Sequence, residues 1–173
     1  VSDADQFREL YEECYPRVLA YAASQVGRQL GEDVTSETLS IAWRRWPEVP
    51  VPPLPWLLGV ARNVLRDMRR KQSRQYELAA AVAVRENFVS ADASDAVLGR
   101  AAVLQALAAL SQDDRELLIL FAWHGLGARD AARVLGCTTA AVTVRLHRAR
   151  RRLDRALDAT ELSSESVRMR QWR

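Results

Sequence analysis

The chain has 173 residues, 49% hydrophobic and 27% charged, with 7 Gly and 6 Pro; this balance excludes disordered, collagen-like and low-complexity readings. The apolar run 117–123 spans seven residues and none is longer, too short to cross a bilayer. Val1-Ser2-Asp3-Ala4-Asp5 lacks the basic-then-apolar form of a signal peptide, so the expectation is a cytoplasmic protein with no membrane insertion. Cys14 and Cys137 stand far apart, no disulfide is indicated, and a reducing compartment is the default. The net charge of +3 is unevenly placed. Residues 1–37 carry three Arg against eight acids, whereas 62–74 and 145–155 each carry six basic residues against one Asp. An acidic end and two basic clusters point to two kinds of partner. Of the 25 basic residues only Lys71 is lysine; a GC-rich genome explains that bias, but not the clustering.

The periodicity is helical throughout, with no sustained alternation between turns, so the chain reads as all-α. A first helix is predicted over 4–25, stopping at Gly27, with Pro16 able to kink or split it. A second is predicted over 32–46, ending at Pro47. The stretch 47–55 is too proline-rich for helix, and Pro55 suits the start of the next one. That third helix is predicted to run to residue 74. Leu57, Ala61, Val64 and Met68 form one face and Arg62, Arg66, Arg69 and Arg70 another. Residues 76–94 lose periodicity and read as a flexible linker. A fourth helix is predicted over 95–110, with Val97, Ala101, Leu104 and Leu107 inward. Ser111-Gln112-Asp113-Asp114 matches a capping box opening the fifth helix. A short helix over 128–135, a turn at Gly136-Cys137-Thr138 with Thr138 as N-cap, and a last helix over 139–159 follow. Residues 160–173 read as a frayed tail.

The segment 128–155 is the strongest local signal, a helix-turn-helix. Val142, Leu146, Ala149, Leu153 and Leu157 face inward, which leaves Thr139, Thr143, Arg145, Arg148 and Arg152 outward or flanking. Small hydroxyls near a helix start and Arg forks along it suit a duplex groove; the plainer alternative is a solvated basic face. The other basic cluster, Arg62 to Arg74, lies near Trp43, Trp46 and Trp56, and basic residues with aromatics suit unpaired DNA. Trp43 is read as core. Trp56, at a helix start beside a loop, suits either core packing or a base, and Asn63 beside Arg62 can hydrogen-bond base edges. Glu32, Asp33 and Glu37 form an acidic face, for which a helix start favoured by the dipole is the plainer explanation. His124, His147 and Cys137 lack metal-ligand spacing. No phosphate loop or nucleophile elbow occurs, so no cofactor, metal site or catalysis is expected.

Together these segments resemble the extracytoplasmic-function (ECF) sigma factors of bacteria, over residues 5–159. Phe7-Arg8-Glu9-Leu10-Tyr11 with Tyr15 resembles that family's opening helix. Gly31-Glu32-Asp33-Val34-Thr35-Ser36-Glu37-Thr38-Leu39, continuing to Ala42-Trp43-Arg44, resembles its polymerase-binding helix. Trp56-Leu57-Leu58-Gly59-Val60-Ala61-Arg62-Asn63-Val64-Leu65-Arg66-Asp67 resembles its promoter-melting helix. Ala131-Ala132-Arg133-Val134-Leu135-Gly136-Cys137 and Val142-Thr143-Val144-Arg145-Leu146-His147-Arg148-Ala149-Arg150 resemble its C-terminal helix-turn-helix. Ser36 stands where the family often has Gln, and Ala141 where it often has Thr.

The resemblance implies a sigma factor with two small helical domains. Residues 1–75 would bind core polymerase and the minus-ten element, 76–94 would be the linker, 95–159 would bind the minus-thirty-five element, and 160–173 would be a tail. It implies that Glu32, Asp33 and Glu37 face the clamp helices of the largest polymerase subunit, and that the flap is a further contact. Trp56, Arg62, Asn63, Arg66, Arg69 and Arg70 would engage the minus-ten element. Thr139, Thr143, Arg145, Arg148 and Arg152 would engage the minus-thirty-five element. An anti-sigma protein is an implied partner. Two alternatives stand beside it: a stand-alone helix-turn-helix regulator whose N-terminal half senses a ligand or dimerises, and a nucleic-acid enzyme.

Overall fold

The computed structural model describes residues 2–71 and 96–171, with side-chain environments from 103 to 159 in the second stretch. The all-α expectation holds: seven α-helices and one 3-10 turn are found among the described residues. Helix α1 spans Asp3–Val26. It begins in a capping box, the Ser2 hydroxyl accepting from the Asp5 N–H while the Asp5 carboxylate accepts from the Ser2 N–H. The Ser2 hydroxyl, which also donates to the Asp5 carboxylate at 2.7 Å, and the Ser2 N–H together hold the Asp5 carboxyl below its ordinary range. Pro16 lies within α1 without splitting it, on an exposed face.

Helix α2 spans Arg28–Arg44 and starts four residues earlier than the sequence suggests. Gly27, at φ +82°, makes the break, and Gly31 then sits inside the helix rather than before it. The reason is close approach: a Cβ on Gly31 would lie 2.8 Å from the Ala23 backbone, so only glycine lets α2 fold back along α1. A 3-10 turn, Trp46–Glu48, interrupts the proline-rich stretch. Helix α3, Leu54–Lys71, then buries Leu57, Leu58, Ala61 and Leu65 against α1 and α2. Any extension of α3 to residue 74, and the linker 76–94, lie outside the described residues.

The second half comprises α4 (Ala96–Ala109), α5 (Gln112–Ala122), α6 (Ala128–Leu135) and α7 (Thr139–Gln171). Ser111 caps α5, accepting from the Asp114 N–H at 3.2 Å. Arg115 donates to the carbonyls of Leu107, Ala108 and Leu110 at 2.9–3.1 Å, bracing the chain where α4 ends. Gly136, at φ +65°, ends α6 in the left-handed conformation. Helix α7 runs to Gln171, so the expected tail continues the helix. After Gly136 the sequence contains neither glycine nor proline to stop it.

The two halves pack against each other. Helix α6 lies along α3, and a Cβ built on Gly59 would stand 3.8 Å from the Val134 Cα. Leu57, Leu58 and Ala61 share one buried apolar cluster with Leu117, Leu120, Ala131 and Val134.

Candidate nucleic-acid interface

The amphipathic helix α3 turns its basic face toward a cleft of about 640 Å³. Arg45, Trp56, Arg62, Asn63 and Arg66 line one side, and Arg133 lies on the other. Trp56 is half-buried, with the Arg45 guanidinium 5.8 Å from its ring centroid, a cation–π arrangement. Asn63, Arg66 and Arg70 are exposed, and Arg70 lies 3.8 Å from Asp67.

Arg62, although it borders the cleft, and Arg69 both reach toward the second half. Arg62 Nε donates to Glu116 Oε1 at 3.0 Å, and the Tyr21 phenol donates to the same oxygen. Burial works against the charge on Arg62, but the Glu116 carboxylate outweighs it and raises the guanidinium pKa. Burial and the same carboxylate push the Tyr21 phenol well above its ordinary value. Arg69 donates to Gln25 Oε1 at 3.2 Å and meets the Gln112 side-chain amide; burial lowers its guanidinium pKa.

The helix-turn-helix is formed by α6, the Gly136 turn and α7. Thr138 caps α7, its hydroxyl accepting from the Ala141 N–H at 3.1 Å. Val142, Leu146 and Ala149 are buried and Leu153 is half-buried. At roughly 3.6 residues per turn, the expected outward residues divide between flanks. Thr139 and Thr143 lie on one flank, where the Thr143 hydroxyl donates to the Thr139 carbonyl at 3.0 Å. Arg145 and Arg152 lie on the other, facing α5: Arg145 is 4.0 Å from Asp113 and Arg152 2.6 Å from Asp114. Opposite the buried stripe stand Val144, His147, Arg148 and Arg151, all exposed. Val144, at 49%, is an apolar side chain where a folding helix would place a polar one, and it has the chemistry to meet a thymine methyl group.

Residues 10–75 match the family described as Sigma-70 region 2, and residues 100–153 the one described as Sigma-70, region 4. The ECF RNA polymerase sigma factor EcfG of Rhodopseudomonas palustris is 32% identical over 156 residues, covering 88% of this chain and 86% of that protein. This chain belongs to the ECF sigma factor family. The sigma factor is also 34% identical over 127 residues to the probable RNA polymerase sigma factor RfaY of Xanthomonas campestris pv. campestris. That match covers 69% of this chain and 32% of the relative, so the chain spans about a third of RfaY's length. Among solved structures it is similar to the sigma factor RpoE of Bartonella quintana in complex with the anti-sigma factor NepR, with a TM-score of 0.68 and 25% identity. That similarity covers 88% of this chain and 97% of RpoE.

The acidic face of the sigma factor stands on α2, where Glu32, Asp33 and Glu37 are all exposed. Because α2 begins at Arg28, no acid occupies its first turn, which removes the dipole as the explanation for Glu32 and Asp33. Arg28 pairs with Glu32 at 3.2 Å and Arg44 with Glu37 at 3.0 Å. Trp43 is not core: it is 48% exposed. Leu39 and Ala42 take the inward positions of α2, and the next residue is turned about 100° away from them. Its ring packs edge-on against Phe7, with centroids 5.0 Å apart, and with Tyr11 and Ser40 it lines a shallow groove beside the acids. No helix among the described residues is long and apolar enough to cross a membrane.

Proposed function

We propose that this sigma factor binds core RNA polymerase and directs it to promoters, supplying recognition and no chemistry of its own. The observation that carries this reading is the pairing of two basic elements in a chain that matches both sigma regions. One is a helix beside an aromatic, arginine-lined cleft; the other is a helix-turn-helix. Glu32, Asp33 and Glu37 dock on the clamp helices, and the C-terminal half meets the flap. Trp56, Arg62, Asn63, Arg66, Arg69 and Arg70 engage the opened minus-ten element, where unpaired bases can stack and phosphates meet guanidinium groups. Arg148, with Val144 and His147 beside it, reads the minus-thirty-five duplex, while Thr139, Thr143 and Arg145 flank it. Arg152 steadies the reading helix through Asp114. An anti-sigma protein holds the factor inactive, as the complex of RpoE with NepR suggests.

Transcription by core polymerase from a randomised promoter library tests the reading. Enrichment of one bipartite sequence only when the protein is present is the expected result. Tight, sequence-specific duplex binding by the protein alone at physiological salt would instead favour a stand-alone regulator. Arg62→Ala and Asn63→Ala should impair promoter opening, whereas Arg148→Ala should matter less on a template whose bubble is already opened by mismatches.

A further inference from the structure

The cleft beside α3 has walls from both halves of the chain. Its volume of about 640 Å³ is that of a pocket for one small molecule. Arg45, Arg62 and Arg66 border it from one side, and Arg133 borders it from α6, the helix packed along α3. Among the described residues no carboxylate lines it. Arg45 pairs with Glu48, Arg62 with Glu116 and Arg133 with Asp130, yet none of those acids belongs to the cleft wall. Four guanidinium groups therefore share one concave space, where the surrounding protein concentrates their field. Between them lie the half-buried Trp56 ring, with the Arg45 guanidinium against it, and the Asn63 side-chain amide, which is a donor and an acceptor together.

We propose that this cleft binds a free nucleoside polyphosphate, with its base on Trp56 and its phosphates among the four arginines. Charge density separates this ligand from a nucleic acid. A strand carries one phosphate charge per nucleotide, spread along its length, whereas a nucleoside polyphosphate carries several at one end of a single base. Four arginines around a space of this size match the second distribution. Guanidinium forks take phosphate oxygens two at a time, and an aromatic face accepts any base. A bare phosphate chain leaves the ring and the amide unused, and a nucleoside leaves the four charges unmet, so only a ligand with both parts engages the whole wall. The assignment goes beyond the promoter reading and does not rest on it, since it needs Arg133, to which that reading gives no part.

Isothermal titration of the full chain with ATP and with GTP, without magnesium, is the test. Expected is a single saturable site that holds the better of the two at least tenfold more tightly than its nucleoside or inorganic tripolyphosphate. Arg66→Ala and Arg133→Ala, both at exposed positions, should each weaken the nucleotide about tenfold, the usual loss for a hydrogen bond to a charged group. Arg8→Ala, an equal loss of charge at an exposed position of α1, should leave binding as it was. Trp56→Leu should weaken nucleotide and nucleoside alike and leave tripolyphosphate unchanged. Circular dichroism checks each variant; if Trp56→Leu loses helix, Asn63→Ala, also at an exposed position, takes its place with the same expected pattern. Tripolyphosphate bound as tightly as the nucleotide, or an effect of Arg8→Ala equal to that of Arg133→Ala, would mark diffuse attraction to a basic protein and overturn the site. So would the absence of saturable binding at millimolar nucleotide.

Discussion

The guanidinium of Arg152 lies 2.6 Å from the carboxylate of Asp114, tying the recognition helix to α5. Arg152→Ala should therefore act on stability before it acts on DNA. It leaves an almost buried carboxylate on Asp114 without its charged partner, a loss of about 1–2 kcal/mol for a pair whose arginine is half in water. Arg148→Ala, at an exposed position, should move stability by less than about 0.5 kcal/mol and weaken the minus-thirty-five contact instead. Thermal denaturation beside transcription assays checks the contrast; equal melting temperatures for the two variants would refute it.

Reversing the acidic face, with Asp33→Arg and Glu37→Arg together, should sharply reduce co-purification with core polymerase. Both residues are exposed, and the ion pair that Glu37 makes with Arg44 is a surface pair, worth at most about 1 kcal/mol. Neither residue lies in the first turn of α2, so the macrodipole adds nothing to the loss. Undiminished polymerase binding by the folded variant would place the docking surface elsewhere.

His124 should make the protein acid-sensitive. The residue is buried, its Nε2 has no hydrogen-bond partner among the described residues, and burial, with Arg17 nearby, lowers its pKa from 6.5 to about 4. The native state thus holds the ring neutral while the unfolded chain takes up a proton below pH 6.5. Stability from this group is full above that value, declines as the pH falls toward 4, and falls no further below it. The upper bound is about 3 kcal/mol. Urea denaturation at a series of pH values should show a steeper acid loss in the parent than in His124→Leu; parallel curves would refute the assignment.

Gly31→Ala should destabilise the N-terminal half, because the new methyl would stand 2.8 Å from the Ala23 backbone. Forcing α1 and α2 apart should cost about 1–3 kcal/mol. This outweighs the roughly 1 kcal/mol that alanine gains over glycine within a helix. A variant at least as stable as the parent in urea would contradict the close approach.

The helices were legible wherever a local pattern carries the fold. The spacing of Val142, Leu146 and Ala149 gives the inward face of α7, and Gly136 with Thr138 gives the turn before it. The start of α2 at Arg28 rather than at residue 32 was not legible, because nothing local shows that Gly31 is demanded by the neighbouring helix and so lies inside α2. Trp43 misleads because residue type says that a ring prefers burial without saying whether a surface lies in front of it. Arg152 belongs to the basic run in sequence but to Asp114 in space. Val144 could have been found by measuring angles from the buried stripe rather than by choosing polar residue types. Tyr21 and Glu116 lie 95 residues apart in the chain, and no local periodicity encodes such a meeting.

The burial of Glu116 also sets how the protein should respond to ionic strength. Mobile ions screen exposed charges readily but barely reach a carboxylate held between two packed halves. Contacts between arginines and DNA phosphates, by contrast, weaken steeply as salt rises, because counterions return to the strand. The two claims on the Arg62 guanidinium therefore diverge with salt: dilute buffer favours the nucleic acid, and concentrated buffer favours the carboxylate within the protein.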